Sequence, residues 1–263
     1  MPSFLALLAF LHAAGVPVEH VHIPASDGAM LDAALVRPEG TPKAAAVVAL
    51  HGCGGPFPSR DGSWAVALSK QGRVVLMPDS FGSRGLGSQC GVSARTVKEA
   101  DRRRDAIAAA QWLSAQPGLA PAGGVDLIGW SNGGGTVLTT AREESDLPAG
   151  LFRRFVAFYP GCATRAKDMG WQPAAPLMIL VGESDDWTPA PPCRTFAARF
   201  PGTVDLIVYP DAYHDFDAPN RPVRQLSGLA TPPSGTGQAH AGTNEAARAD
   251  AYKKVPAFLD AGD

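Results

Sequence analysis

The chain predicts an α/β fold, a mostly parallel eight-stranded sheet flanked by helices with no cap domain. Three observations carry this. Strand-like apolar runs alternate with helix-like stretches along all 263 residues. The first two runs alternate polar and apolar residues around Ser26-Asp27-Gly28, the pattern of an antiparallel hairpin. From the third onward the runs are continuously apolar (Ala-Val-Val-Ala-Leu, Val-Val-Leu-Met, Leu-Met-Ile-Leu-Val), as parallel strands covered on both faces require.

In order, the expected strands lie near His20–Ile23, Met30–Arg37, Ala45–His51, Arg73–Pro78, Val125–Trp130, Arg154–Tyr159, Pro176–Gly182 and Val204–Tyr209. Helices fall between them. Ser63–Gln71 stops at Gly72, which can supply a left-handed cap. Thr96-Val97-Lys98-Glu99 has capping-box spacing and opens a long helix reaching Ala115. A small-residue helix follows Ser131, Pro192–Arg199 forms a shorter one, and Asn244–Asp260 closes the domain with Pro256 expected to kink it. No long helical insertion separates the sixth and seventh strands, so no cap is expected. The Pro-, Gly- and Ser-rich stretch Ala218–Gly242 reads as a long loop, functional or mobile.

Composition narrows the partners. A formal net charge of -2 and a pI near 6.3 give no electrostatic footprint for nucleic acid or an anionic membrane. The apolar run Phe4–Leu11, followed by Ala13-Ala14-Gly15, is too short to span a membrane, and no stable insertion is expected. It reads first as a signal peptide over residues 1–15, although no Lys or Arg precedes it, and directs the protein to the periplasm or the medium. The alternative is an extra N-terminal helix packed on the domain, which otherwise spans residues 19–260. Four cysteines, Cys53, Cys90, Cys162 and Cys193, permit two disulfides and would suit export. None has CxxC or Cys/His spacing, so no zinc site is expected from them.

The chemistry centres on Gly129-Trp130-Ser131-Asn132-Gly133, placed where a strand turns into a helix. Glycines must flank such a serine because strand and helix crowd together there. A serine hydroxyl needs a base to take its proton and an acid to orient that base. Gly182-Glu183-Ser184-Asp185-Asp186-Trp187 follows the seventh strand and Tyr213-His214-Asp215-Phe216 the eighth, giving the chain order Ser, Asp, His. Ser131, Asp185 and His214 are therefore the candidate triad. Asp186 rivals Asp185, Glu183 being nearer the strand, and His240 rivals His214. The oxyanion of the reaction needs two N–H donors. Asn132 supplies one; Cys53, in the His51-Gly52-Cys53-Gly54-Gly55 loop after the third strand, supplies the other. Phe57, Phe81, Trp130 and Trp187 lie on these loops and are candidates to line an acyl or aryl pocket.

Together His-Gly-Cys-Gly-Gly, Pro78-Asp79-Ser80-Phe81, Gly-Trp-Ser-Asn-Gly-Gly, Gly-Glu-Ser-Asp and His214-Asp215-Phe216 resemble the dienelactone hydrolase family of the α/β-hydrolase superfamily over residues 19–260. The resemblance implies a single-domain hydrolase with neither metal nor organic cofactor, acting on a small-molecule ester or lactone. Its namesakes carry cysteine at the nucleophile position, where this chain has Ser131, which favours ordinary ester hydrolysis. Lactone and polyester hydrolysis, and non-catalytic ligand binding on the same scaffold, are the alternatives. Arg84 and Arg104 are candidates for the family's substrate-carboxylate arginines. The superfamily's usual strand order also implies the pairings Cys53–Cys90 and Cys162–Cys193.

Overall fold

The computed structural model describes residues 2–120, 123–144, 146–230 and 232–261, so Met1 of the leader segment and Thr231 of the long loop lie outside the described residues. Its elements run α1 (Pro2–Ala13), β1 (Val18–Pro24), β2 (Met30–Val36), β3 (Val47–Leu50), α2 (Pro58–Ser69), β4 (Val75–Pro78) and α3 (Glu99–Ala115). Then come β5 (Val125–Trp130), α4 (Asn132–Thr140), β6 (Phe152–Phe158), α5 (Ala163–Lys167), β7 (Leu177–Gly182) and α6 (Ala190–Ala197). The chain closes with β8 (Val204–Tyr209), β9 (Arg224–Leu226), β10 (Ala239–Ala241) and α7 (Glu245–Asp260).

Eight strands form one sheet in the order β1-β2-β4-β3-β5-β6-β7-β8. The β1–β2 and β2–β4 pairs are antiparallel and every other pair is parallel, as the change from alternating to continuous apolar pattern requires. All residues of β3, β4, β5 and β7 are buried. The central β5 therefore delivers its C-terminal end, and Ser131, to the middle of the sheet edge, where active sites of open α/β sheets form.

Helix α2 begins at Pro58 rather than Ser63, the short α5 is not among the expected helices, and three further details depart from the sequence expectations. The long helix begins at Glu99, three residues after Thr96, because the Asp101 carboxylate accepts the Lys98 N–H at 2.7 Å and caps it there. Helix α7 continues through Pro256, with Val255 and Leu259 fully buried on either side. The stretch 218–242 is not a plain loop, since β9 and β10 pair within it as a two-stranded antiparallel ribbon. Leu226 and Ala239 of that ribbon pack on Trp187 and the Cys53–Cys90 bridge.

The apolar N-terminal run folds as α1. Phe4, Leu7 and Leu11 are buried, and Phe10 lies so close over α2 that a Cβ on Gly62 would meet its ring at 2.4 Å. The segment that reads as a signal h-region thus occupies the position of the alternative, a helix docked on the domain. Among the described residues, no helix is long and apolar enough to cross a membrane.

Candidate active site

Ser131 sits between β5 and α4 at φ 54° and ψ -114°, a backbone conformation that costs a non-glycine residue about 1–3 kcal/mol. The crowding behind that turn fixes the flanking glycines. A Cβ on Gly129 would lie 2.5 Å from the Gly133 carbonyl oxygen, and one on Gly133 would lie 2.2 Å from that of Leu50. Both contacts are backbone to backbone and have no side chain to yield.

The three separated segments converge. The Ser131 hydroxyl donates to His214 Nε2 at 2.9 Å, and His214 Nδ1–H donates to Asp185 Oδ2 at 2.8 Å. Asp185 and His214 are almost wholly buried. The other Asp185 oxygen accepts the backbone N–H groups of Trp187 at 2.9 Å and Thr188 at 2.8 Å. The Thr188 hydroxyl lies within hydrogen-bond reach of Asp185 Oδ2, the Tyr159 carbonyl and His214 Nδ1. Burial disfavours a charged His214, but the charge and hydrogen bond of Asp185 outweigh it and hold the imidazole above its ordinary range.

The rivals are placed elsewhere and bind one another. Asp186 accepts the His240 backbone N–H at 2.7 Å and its Nδ1–H at 2.8 Å. Successive side chains on one loop point apart, so neighbouring aspartates serve different histidines. Glu183 pairs with Arg194.

The loop after β3 lies against Ser131: a Cβ on Gly52 would stand 3.6 Å from the Ser131 Cβ. Cys53 is held there by its bond to Cys90 and by its carbonyl, which accepts the Gln89 N–H at 2.7 Å. Asn132 opens α4, where first-turn N–H groups have no partner within the helix. Sequence reading missed Arg102, which joins the two segments. Its buried guanidinium donates to the His51 carbonyl at 2.7 Å and to Asn132 Oδ1 at 2.6 Å. Burial without a direct carboxylate partner lowers its pKa to about 10. The Cys162–Cys193 bridge joins the loop after β6 to α6.

Two clefts of about 290 and 270 Å³ meet at Ser131. The first takes Phe57, Arg60, Trp187 and Arg221; the second takes Arg95, Trp187, Thr188 and three prolines, Pro189, Pro192 and Pro233. Phe81 and Trp130 line neither. Phe81 is buried against His51 and the Arg102 guanidinium. The Trp130 indole N–H donates to Asp217 at 2.8 Å, beneath the site. Asp217 also accepts from Trp64 Nε1 at 2.7 Å and the Tyr159 hydroxyl at 2.6 Å, and burial pushes its carboxyl above the usual range. Tyr159 in turn packs on the His214 ring. Arg84 is committed to Asp27 and Asp105, and Arg104 to Asp101, so the arginines that line the clefts at the serine are Arg60, Arg95 and Arg221 instead. Arg60 is itself paired with Asp61 and Asp215. No local motif marks Arg60 or Arg221.

The chain matches the model of the dienelactone hydrolase family over residues 31–261. No curated protein matches it significantly. Among solved structures, a candidate dienelactone hydrolase from Klebsiella pneumoniae subsp. pneumoniae superposes with a TM-score of 0.71 at 17% identity, covering 94% of this chain and 99% of that one. The dienelactone hydrolase from Anabaena variabilis gives 0.59 at 20% identity, over 78% of this chain and 90% of its own. The esterase domain of a Rhodothermus marinus protein gives 0.59 at 17% identity, over 92% and 97%. At these identities the superpositions establish the shared α/β-hydrolase fold.

Proposed function

Because the chain belongs to the dienelactone hydrolase family and so is a hydrolase, we propose that it cleaves carboxylic esters through an acyl-enzyme on Ser131. The observation that carries this reading is the continuous hydrogen-bond chain Ser131–His214–Asp185 at the open meeting point of two clefts. His214 Nε2 takes the hydroxyl proton as Ser131 Oγ attacks the ester carbonyl, and Asp185 holds the ring in the tautomer that leaves Nε2 free to accept it. The N–H groups of Cys53 and Asn132 receive the oxyanion. The imidazolium then protonates the departing alkoxide. Water, deprotonated by His214, releases the acid and restores Ser131.

Two clefts rather than one suit an acyl group on one side and an alcohol on the other. Phe57 and Trp187 are the aromatic surfaces such groups would touch. A fluorophosphonate probe is expected to label Ser131 alone, and a panel of short p-nitrophenyl esters and lactones to show turnover of the esters. Absence of an adduct at Ser131 would move the reading to a ligand-binding protein on a hydrolase scaffold; lactones turned over in preference would move it to the lactone alternative.

The two bridges also favour an oxidising compartment, the periplasm or the medium. Protein recovered from that fraction is expected to carry both disulfides by non-reducing peptide mapping, and free thiols would remove the export proposal. Its N-terminal sequence reads the fate of α1. A start near Val16 marks a processed leader, whereas a retained helix keeps Phe4, Leu7 and Leu11 in the core.

A further inference from the structure

The β1–β2 hairpin brings together three metal-ligand side chains that no local motif joins. His20 and His22 are two residues apart on β1 and so project from the same face. The register sets Asp32 of β2 directly opposite His22. His20 Nε2 lies 2.8 Å and His22 Nδ1 3.1 Å from one and the same oxygen, Asp32 Oδ1. The three ligand atoms all fall within 4.8 Å of one another, the one such group of three among the described residues.

We propose that His20, His22 and Asp32 form a surface site for a divalent transition metal, Zn²⁺ foremost. A tetrahedral ion with bonds of about 2.0–2.1 Å holds its ligand atoms roughly 3.3 Å apart. The two nitrogens need therefore retreat from the oxygen by only a few tenths of an ångström and approach each other by at most about 1.5 Å, which side-chain rotation of two exposed imidazoles supplies. Two imidazoles and one carboxylate select zinc, copper or nickel over calcium or magnesium, which prefer all-oxygen shells. Each histidine stays neutral on binding, its remaining proton moving to the distal ring nitrogen. Both rings are substantially exposed, at 39% and 58%, so water completes the shell.

The ligands are also held in place. The Asp32 backbone N–H donates to Ser83 Oγ at 2.8 Å, and its carbonyl accepts the Asp79 N–H at 2.8 Å. The His20 ring packs on Phe4 of α1 with centroids 5.1 Å apart. Such support outside the ligand set is what fixes ligand geometry in metal sites. In the sheet order, β2 is separated from β5 by β4 and β3. At about 4.8 Å per strand the site stands roughly 14 Å from the β5 end that carries Ser131, outside the hydrolytic machinery. An ion there would bind the N-terminal hairpin strands to each other.

Titration of the metal-free chain with ZnSO₄, followed by calorimetry and by thermal melting, tests the site. One equivalent is expected to bind, with a rise in Tm that follows the free Zn²⁺ concentration. In the double variant His20→Ala, His22→Ala the affinity is expected to fall by at least about 10-fold. His240→Ala, which removes the exposed His240–Asp186 pair, is expected to leave it unchanged. With Cu²⁺, electron paramagnetic resonance is expected to show coupling to two imidazole nitrogens. Failure of the parent chain to bind an equivalent, equal affinity in the double variant, or loss in His240→Ala would each overturn the assignment. Far-UV circular dichroism of the variants confirms the fold, and the single variant His22→Ala supplies the same comparison should the double variant not fold.

Discussion

Ser131→Ala is expected to lower kcat for a p-nitrophenyl ester by about 10⁵–10⁶-fold, leaving the Tm nearly unchanged. The size follows from what the substitution removes. Without Oγ there is no acyl-enzyme, and His214 Nε2 loses the hydroxyl that donates to it at 2.9 Å. The clefts and the N–H groups of Cys53 and Asn132 remain, so a residual acceleration of roughly 10³-fold over water is expected from binding and oxyanion stabilisation alone. Stability is insulated because alanine meets the same strain at φ 54° that serine does. Glycine, which adopts that φ freely, provides the contrast: Ser131→Gly should be equally inactive yet more stable than the alanine variant. Substantial ester turnover by Ser131→Ala would refute nucleophilic catalysis at this position.

Backbone crowding also explains what the sequence makes legible. Gly129, Ser131 and Gly133 can be read locally because the turn needs small residues within a five-residue span, and the structure shows backbone oxygens 2.5 and 2.2 Å from where side chains would begin. The parallel strands were legible for a similar reason, since strands covered on both faces have no polar side. The candidates Ser131, Asp185 and His214 are legible because each follows an expected strand in the chain order of the α/β-hydrolase arrangement. Side-chain direction is not. Asp185 and Asp186 are adjacent, and only the folded loop sends one to His214 and the other to His240. Trp130 ends β5 and Phe81 lies in the loop after β4, yet each turns inward, Trp130 to satisfy its indole N–H on Asp217 and Phe81 to cover His51. Arg102 was invisible because its partners, His51 and Asn132, come from segments 51 and 30 residues away. The hairpin cluster of His20, His22 and Asp32 was hidden in the same way, by a register that pattern reading does not determine.

Asp185→Asn is expected to lower kcat by about 10⁴-fold with the fold intact, and the reason lies in the proton on His214. Asp185 Oδ1 accepts two backbone N–H groups, from Trp187 and Thr188. An asparagine there must keep its carbonyl oxygen on those donors, which turns its NH₂ toward His214 Nδ1. Nδ1 must then accept, so the ring proton moves to Nε2, the atom that has to take the proton of Ser131. The base is filled before the reaction starts. The pH profile separates this from general damage. In the parent, burial depresses the imidazole but Asp185 more than compensates, so the acid limb of kcat/KM should lie above the ordinary histidine pKa of about 6.5. The proposed mechanism needs neutral His214, so activity is expected to be lost as pH falls through that raised value. The stabilisation from the pair runs the opposite way: fully present below about pH 6.5, it fades as pH rises through the folded-state pKa. Replacing the carboxylate leaves burial opposed only by the weaker effect of the Asp215 charge, so the limb of Asp185→Asn should move to lower pH while the plateau drops. Asp186→Asn, whose partner is His240, should change neither by much. If Asp186→Asn rather than Asp185→Asn collapsed the plateau and shifted the limb, the acid would have to be reassigned.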